Sequence, residues 1–270
     1  MSLVTVARRT FKMNTRCFLA FCLLISLFLA TFSGVEKAAA APVDNEIWAE
    51  LLKKYVKPDG VDYTGFKSEE NKLDRYLKVL EHTDLKTLSR NELFAYYINA
   101  YNAWTIKLIL GAYPGIKSIK DLGTFWKSPW KKKFVRIDGD VVTLDYIEHH
   151  ILRPRFRDPR VHFAINCSAA SCPPLRSAPY RGSSLDQQLD QSTRSFINNP
   201  DNYRLEDNTF YVSRIFEWFS EDFNDDVVGF YLKYAKNDLK KKLAQKKNVI
   251  QVKYLHYDWS LNDVRKSGLK

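Results

Sequence analysis

Cysteine is scarce in this chain: there are four among 270 residues, and two of them, Cys17 and Cys22, sit in an apolar run near the start. The C-x-x-C spacing of thioredoxin-type redox motifs is absent. No second cysteine pair stands ready to complete a zinc site beside Cys167 and Cys172. Internal repeats and low-complexity linkers are also missing, which excludes a solenoid or a string of tethered modules. Residues 17–32 form an uncharged apolar run, and it is too short to favour a permanent membrane helix. Acidic residues are outnumbered, 31 against 42 Lys and Arg.

The start of the chain has the order of an export signal. Arg8, Arg9, Lys12 and Arg16 precede the apolar run, and KAAAAPV follows it. A basic region, an apolar region and an A-x-A site predict a signal peptide over 1–40, cleaved after Ala40 or a neighbour. An uncleaved anchor is the alternative. ARRTFK also fits a twin-arginine signal, although ordinary export charge explains it equally. The expected location is exported, periplasmic or secreted, with 41–270 as a single domain long enough for a proper core. That segment keeps two cysteines, Cys167 and Cys172, and 37 Lys and Arg against 30 Asp and Glu, a net +7. In an exported protein, an even cysteine count makes a disulfide the default expectation. Many of the lysines fall in 233–247, where Leu232, Ala235, Leu239 and Leu243 recur at helical spacing. The run predicts a solvated cationic helix face. A weak association with an anionic lipid headgroup or cell-wall polymer is the other reading, and export argues against nucleic acid.

Periodicity predicts amphipathic helices over 44–57 and 68–82, with VDYTGFK (61–67) as an extended link. The clearest helix is 91–110, with apolar stripes through Leu93, Tyr97, Tyr101, Trp104 and Leu108 and through Phe94, Ile98, Thr105 and Ile109. Ser89 and Glu92 form a capping-box pattern before it. Residues 132–147 alternate around Asp138-Gly139, a hairpin signal. A short helix follows over 144–152, a strand over 161–165 and a helix over 183–198. A hairpin is expected over 203–212, then a helix over 225–245 and a strand over 249–254. The order predicts an α+β fold, a mainly antiparallel sheet with packed helices.

Chemistry concentrates in HFAINCSAASCPPLR, residues 162–176. As a strand, 161–165 would put His162 and Ala164 on one face. The short, small-residue turn between Cys167 and Cys172 can point backbone amides inward and lower a thiol pKa. Four readings stay open: a local disulfide, a nucleophilic Cys167 with His162, His149 or His150 as base, a reversible redox pair, and a zinc site. Asn99 and Asn102 lie three apart in the most apolar helix. Buried amides must be hydrogen-bonded, so they either tie the helix to a neighbouring loop or line a cleft. In IEHHILR (147–153), Glu148 and His149 could work as an acid–base pair, bind a ligand or ligate a metal; Glu148 could equally pair with Arg153 or cap a turn. Asn166 could polarise a carbonyl. Arg176 could hold an anionic group, or be a plain surface arginine. Trp218, Asp222 and Phe223, with YDWSLND (257–263), are aromatic and acidic clusters that core packing explains.

With those segments assembled, the chain resembles the domain-of-unknown-function 547 family. The matching stretches are VDYTGF (61–66), ELFAYYINAYNAWTI (92–106), LDYIEHHILR (144–153), DPRVHFAINCSAASCPPL (158–175), SRIFEWFSEDF (213–223) and YDWSLND (257–263). The most specific is H-F-x-x-N-C-x4-C-P-P. Tyr97 stands where the family's helix has Trp. The resemblance implies an exported bacterial protein and carries no established reaction. An Asn-bearing helix, a hairpin and a His-bearing strand is also the element order of transglutaminase and papain-like cysteine hydrolases. In those folds the helix carries the cysteine, and here it carries none. The leading expectation is an envelope protein with a cleft between helix 91–110 and loop 166–174, binding a peptide- or glycan-like ligand without metal or cofactor. A thiol-dependent hydrolase or acyl transferase using Cys167, His162 and Asn102, and a thiol/disulfide redox protein, are the alternatives.

Overall fold

A computed structural model of the protein describes residues 43–124 and 126–264; the expected export signal lies outside them. Helix α1 (Glu46–Tyr55) leads into a two-residue ribbon of β1 (Val56–Lys57) and β2 (Gly60–Val61). The expected extended link at 61–67 is instead mostly helical. Asp62 accepts the Gly65 N–H at 2.9 Å and caps α2 (Tyr63–Ser68), a side-chain cap that periodicity does not report. Helix α3 (Glu70–Glu81) then packs beside α4 (Arg90–Leu110).

Helix α4 is the centre of the molecule. Ser89 Oγ accepts the Glu92 N–H at 3.3 Å and Glu92 accepts the Ser89 N–H at 2.9 Å, closing the capping box. Its residues are buried all round, Tyr96, Ile98, Tyr101 and Ile109 among them. Its buried polar side chains must find partners: Thr105 bonds back to the Tyr101 carbonyl at 2.8 Å, and Asn99 and Asn102 reach other elements.

The hairpin of β3 (Val135–Ile137) and β4 (Asp140–Val142) pairs Val135 with Val142 and Ile137 with Asp140. Asp138 (φ 52°) and Gly139 (φ 79°) make the mirror-type turn. After the three-residue helix α5 (Leu144–Tyr146) the chain widens into a π-helix, Ile147–Phe156, which runs past the expected end at 152 and contains Pro154. Proline has no N–H to give to a regular α-helical ladder, and wide turns of this kind recur at functional sites.

Residues 161–165 are not the expected strand. They lie in and beyond a 3₁₀ helix, Pro159–Phe163. Pro159 sets its first turn, Asp158 accepts the Arg160 N–H at 3.0 Å, and the Arg160 guanidinium is tied to Asp158, Asp186 and Asp190. This local capping overrides a five-residue alternation. The element order shared with transglutaminase and papain-like hydrolases therefore ends at the hairpin.

Helix α6 (Leu185–Ile197) precedes a three-stranded sheet of β5 (Tyr203–Glu206), β6 (Thr209–Val212) and β7 (Gln251–Tyr254). β5 and β6 are antiparallel around Asp207 (φ 46°), and β7 joins β6 in parallel. Between them lie α7 (Ile215–Trp218), α8 (Val227–Tyr234) and α9 (Asn237–Lys246). The single helix expected over 225–245 is thus two. Asn198 holds the break, donating to the Tyr234 carbonyl at 3.1 Å and accepting the Lys236 N–H at 2.8 Å.

The whole is α+β, with packed helices and short, mainly antiparallel sheets. Its apolar residues form two clusters. One surrounds α4; the other gathers Phe163, Phe196, Phe210, Phe216, Phe223 and Tyr231 around α6, α8 and the three-stranded sheet. Residues 161–175 run along the seam, with Val161, Ile165 and Leu175 in the first cluster and Phe163 and Ala169 in the second. Among the described residues no helix is long and apolar enough to cross a membrane.

Candidate functional site

A cleft of about 250 Å³ opens at that seam. It is lined by Tyr101 of α4, by Glu148 and His149 of the π-helix, by Cys167 and Cys172, and by the aromatic rings of Trp130, Trp218, Phe219, Tyr257 and Trp259. An engineered cavity of about 150 Å³ holds benzene, so this space fits one side chain or one sugar ring, with any longer ligand running along the rim.

The floor is built from backbone clamps. Asn102 donates to the Ala164 carbonyl at 3.0 Å and accepts the Asn166 N–H at 2.8 Å. Asn166 donates to the Pro173 carbonyl at 2.7 Å and accepts the Ser168 N–H at 2.8 Å, closing the cysteine loop across its neck. Ser168 adopts φ 64°, a left-handed conformation that a residue with a Cβ pays about 1–2 kcal/mol to hold. The C-terminal segment straps the loop from outside: the Ala170 and Ser171 N–H groups donate to the Ser260 and Asp258 carbonyls at 2.8 and 3.2 Å.

This loop presents two free, half-buried thiols, with sulfurs 2.8 Å apart. The expected disulfide is therefore not formed, since an S–S bond is about 2.05 Å long. The Cys167 S–H and the Cys167 N–H both donate to Cys172 Sγ at 2.8 Å and hold the sulfurs side by side instead. The two thiols differ. The hydrogen bond with Cys172 lowers the Cys167 pKa against the effect of burial, and the Tyr257 hydroxyl, 3.4 Å away, and the Ala169 N–H add to it. Burial, and then the bond to Cys167, pushes Cys172 up.

Two titrating groups line the same cleft. Glu148 is buried, and burial raises its carboxyl to about 7; the Tyr101 hydroxyl donates to it at 3.1 Å. His162 is buried against Phe219, ring centroids 4.0 Å apart, and burial lowers its pKa. Its Nε2 donates to Asp222 at 2.6 Å. Burial alone would raise Asp222, but hydrogen bonds from His162 and from Arg153 Nε at 2.5 Å outweigh it and hold the carboxyl at about 2. Arg153 also donates to His149 Nδ1 at 3.0 Å, so this chain of bonds fixes both imidazoles.

Of the residues singled out from sequence, Cys167, Cys172, Glu148, His149 and His162 line the cleft. Asn102 and Asn166 lie beneath it as clamps. Asn99 clamps a different loop, donating to the Tyr180 carbonyl at 2.8 Å and accepting the Tyr180 N–H at 2.9 Å. Arg176 stands elsewhere, its guanidinium 5.5 Å from the Tyr180 ring centre and bonded to Gln191 at 3.4 Å. Sequence reasoning passed over Asp222, Tyr257, Trp130 and Trp259. The only signal for Asp222, Tyr257 and Trp259 was the aromatic and acidic content of FEWFSEDF and YDWSLND; Trp130 lies in neither stretch. Among the described residues no group of three or more His, Cys, Asp and Glu side chains is placed to hold a metal ion.

The fold and the site together define an α+β protein with a dithiol at the floor of an aromatic cleft. Residues 85–197 match the family model described as "Protein of unknown function, DUF547", and the match supports a DUF547 domain over that stretch. No curated protein and no solved structure matches the chain. The matched stretch contains α4, the π-helix and the cysteine loop, while Asp222, Tyr257 and Trp259 lie beyond it.

Proposed function

We propose that this is an exported envelope protein that performs thiol–disulfide exchange on a peptide-like ligand seated in the cleft. The observation that carries the reading is the pair of free thiols 2.8 Å apart, one lowered and one raised in pKa. A low-pKa attacking sulfur beside a resolving thiol is the arrangement exchange requires. Aromatic walls offer apolar contact to a peptide, and the basic, apolar, small-residue start of the chain supports export into a compartment where disulfides persist.

The chemistry balances as follows. The Cys167 thiolate attacks one sulfur of a ligand disulfide. A new S–S bond forms, the ligand's own breaks, and the departing sulfur leaves as a thiolate that takes a proton from solvent. Cys172 then gives its proton to the Glu148 carboxylate and attacks Cys167 Sγ. The second ligand thiol is released, and the protein keeps a Cys167–Cys172 disulfide. The ligand gains two electrons and the protein loses two; a dithiol reductant returns the pair. The reaction runs in reverse when the oxidised protein meets a ligand dithiol.

Trapping tests this directly. With a peptide disulfide, Cys172→Ser should accumulate a mixed disulfide on Cys167, because the resolving thiol is gone, and Cys167→Ser should form none. Absence of any adduct on the first variant would overturn the proposal. The His162–Asp222 bond favours a second reading, a thiol hydrolase in which Asp222 orients His162 as base for Cys167. That reading predicts hydrolysis of an activated acyl ester that survives Cys172→Ser and is lost in Asp222→Asn.

A further inference from the structure

The cleft has a basic and aromatic rim that the exchange chemistry does not use. Between 117 and 133 the chain carries six lysines, Lys117, Lys120, Lys127, Lys131, Lys132 and Lys133, against one acid, Asp121. All six are exposed. Asp121 offsets one of the six and leaves a net charge of +5; its carboxylate accepts the backbone N–H groups of Lys117 and Ser118 at 2.8 and 3.0 Å. Some lysines elsewhere are paired with carboxylates, Lys54 with Glu69, Lys72 with Glu50 and Lys107 with Glu70. Among the described residues none of these six forms an ion pair. Lys120 lies over the Trp259 ring, 3.8 Å from its centre, which leaves five directed to solvent.

The segment is anchored at its base. Ile119 and Pro129 are buried, and Trp130 meets Trp259 edge-on with ring centroids 5.8 Å apart. Thr124 and Lys127 exchange both backbone hydrogen bonds, at 2.9 and 3.2 Å. Gly123 permits this turn, since a Cβ there would come within 2.7 Å of the Lys127 carbonyl oxygen. At the tip Trp126 is 86% exposed. A large, exposed aromatic among lysines on a firm base matches the boundary of an anionic bilayer. There indole rings settle at headgroup level, and lysines bury their stems while meeting lipid charge.

We propose that Trp126 to Lys133, with Lys117, is a docking surface for an anionic phospholipid bilayer. Ser128 and Trp130 also line the cleft, so docking holds the cleft mouth beside the lipid surface. The surface does not depend on the exchange reaction.

The test uses the full chain, so that its N-terminal apolar run contributes equally to every sample. Binding to phosphatidylglycerol–phosphatidylcholine vesicles is compared with binding to phosphatidylcholine alone, at low and at 0.5 M salt. Lysine near such a surface counts for about fivefold each, so K127E/K131E/K132E/K133E should weaken binding to the anionic vesicles at least tenfold. Trp126→Phe should reduce the vesicle-induced blue shift of tryptophan fluorescence. Unchanged melting temperatures show that both variants remain folded. Equal partitioning of the lysine variant and the parent overturns the proposal. Retention on a soluble acidic polymer with no preference for anionic vesicles also overturns it, and points to an acidic polymer instead.

Discussion

Glu148→Gln tests whether the cleft floor is as dry as its geometry implies. The native carboxyl titrates at about 7 rather than at its ordinary 4.5 because burial penalises the charge. Between those two values the folded chain keeps a proton that the unfolded chain has released. Stability contributed by this group is therefore highest below pH 4.5 and falls as pH rises toward 7. The gap corresponds to about 3 kcal/mol at 1.36 kcal/mol per pKa unit. Glutamine keeps an acceptor for the Tyr101 hydroxyl and has no proton to lose. Urea unfolding of parent and variant, measured from pH 4 to 8.5, should show the variant gaining on the parent by about 3 kcal/mol across that window, with a flat difference on either side. Contributions from His162 and Asp222 are common to both proteins and cancel. A difference that stays constant to within about 0.5 kcal/mol across the range would mean that Glu148 ionises as an exposed carboxyl does, and the proton acceptor assigned to Cys172 would be lost with it.

Three further outcomes follow from the same contacts. Asn102→Ala removes both bonds that hold the backbone at Ala164 and Asn166, and should cost about 2–4 kcal/mol in urea unfolding; a loss below about 1 kcal/mol would show that the clamp does not organise the loop. Asp222→Asn should cost about 2 kcal/mol at pH 7, because a carboxyl held at about 2 against an ordinary 3.8 contributes stability above pH 3.8 that disappears as pH falls toward 2. In the same variant the His162 pKa should fall further by NMR, and a rise would contradict the assigned bond. Cys172→Ala removes the strongest influence lowering Cys167, so the pH profile of Cys167 alkylation should move upward; an unmoved profile would assign the lowering to Tyr257 and Ala169 alone.

The sequence reveals features that a single segment decides. Ser89 and Glu92 cap a helix whose residues are apolar on every side, and Asp138-Gly139 requires positive φ, so α4 and the first hairpin are legible without coordinates. Residues 161–165 mislead because a five-residue alternation is weak beside a proline, an Asx cap and an arginine bound by three aspartates. The division between α8 and α9 is invisible for a different reason: Asn198, which holds it, lies some 36 residues upstream of Tyr234. The site divides the same way. Cys167, Cys172 and His162 share one short stretch and can be read together. Asp222 and Tyr257 reach the cleft only through tertiary packing, and no local spacing links either to the cysteines. Asn99 and Asn102 form one pattern three residues apart, yet they clamp two different loops.

The claim at the centre of this account is that Cys167 and Cys172 cycle between dithiol and disulfide in the folded protein. Equilibrating the protein in glutathione buffers of graded potential, then alkylating free thiols and weighing the intact chain, measures this most directly. The account predicts one reversible step in which both thiols disappear together and a Cys167–Cys172 linkage takes their place. A pair that stays reduced across the series, or that resists reduction once joined, would contradict it.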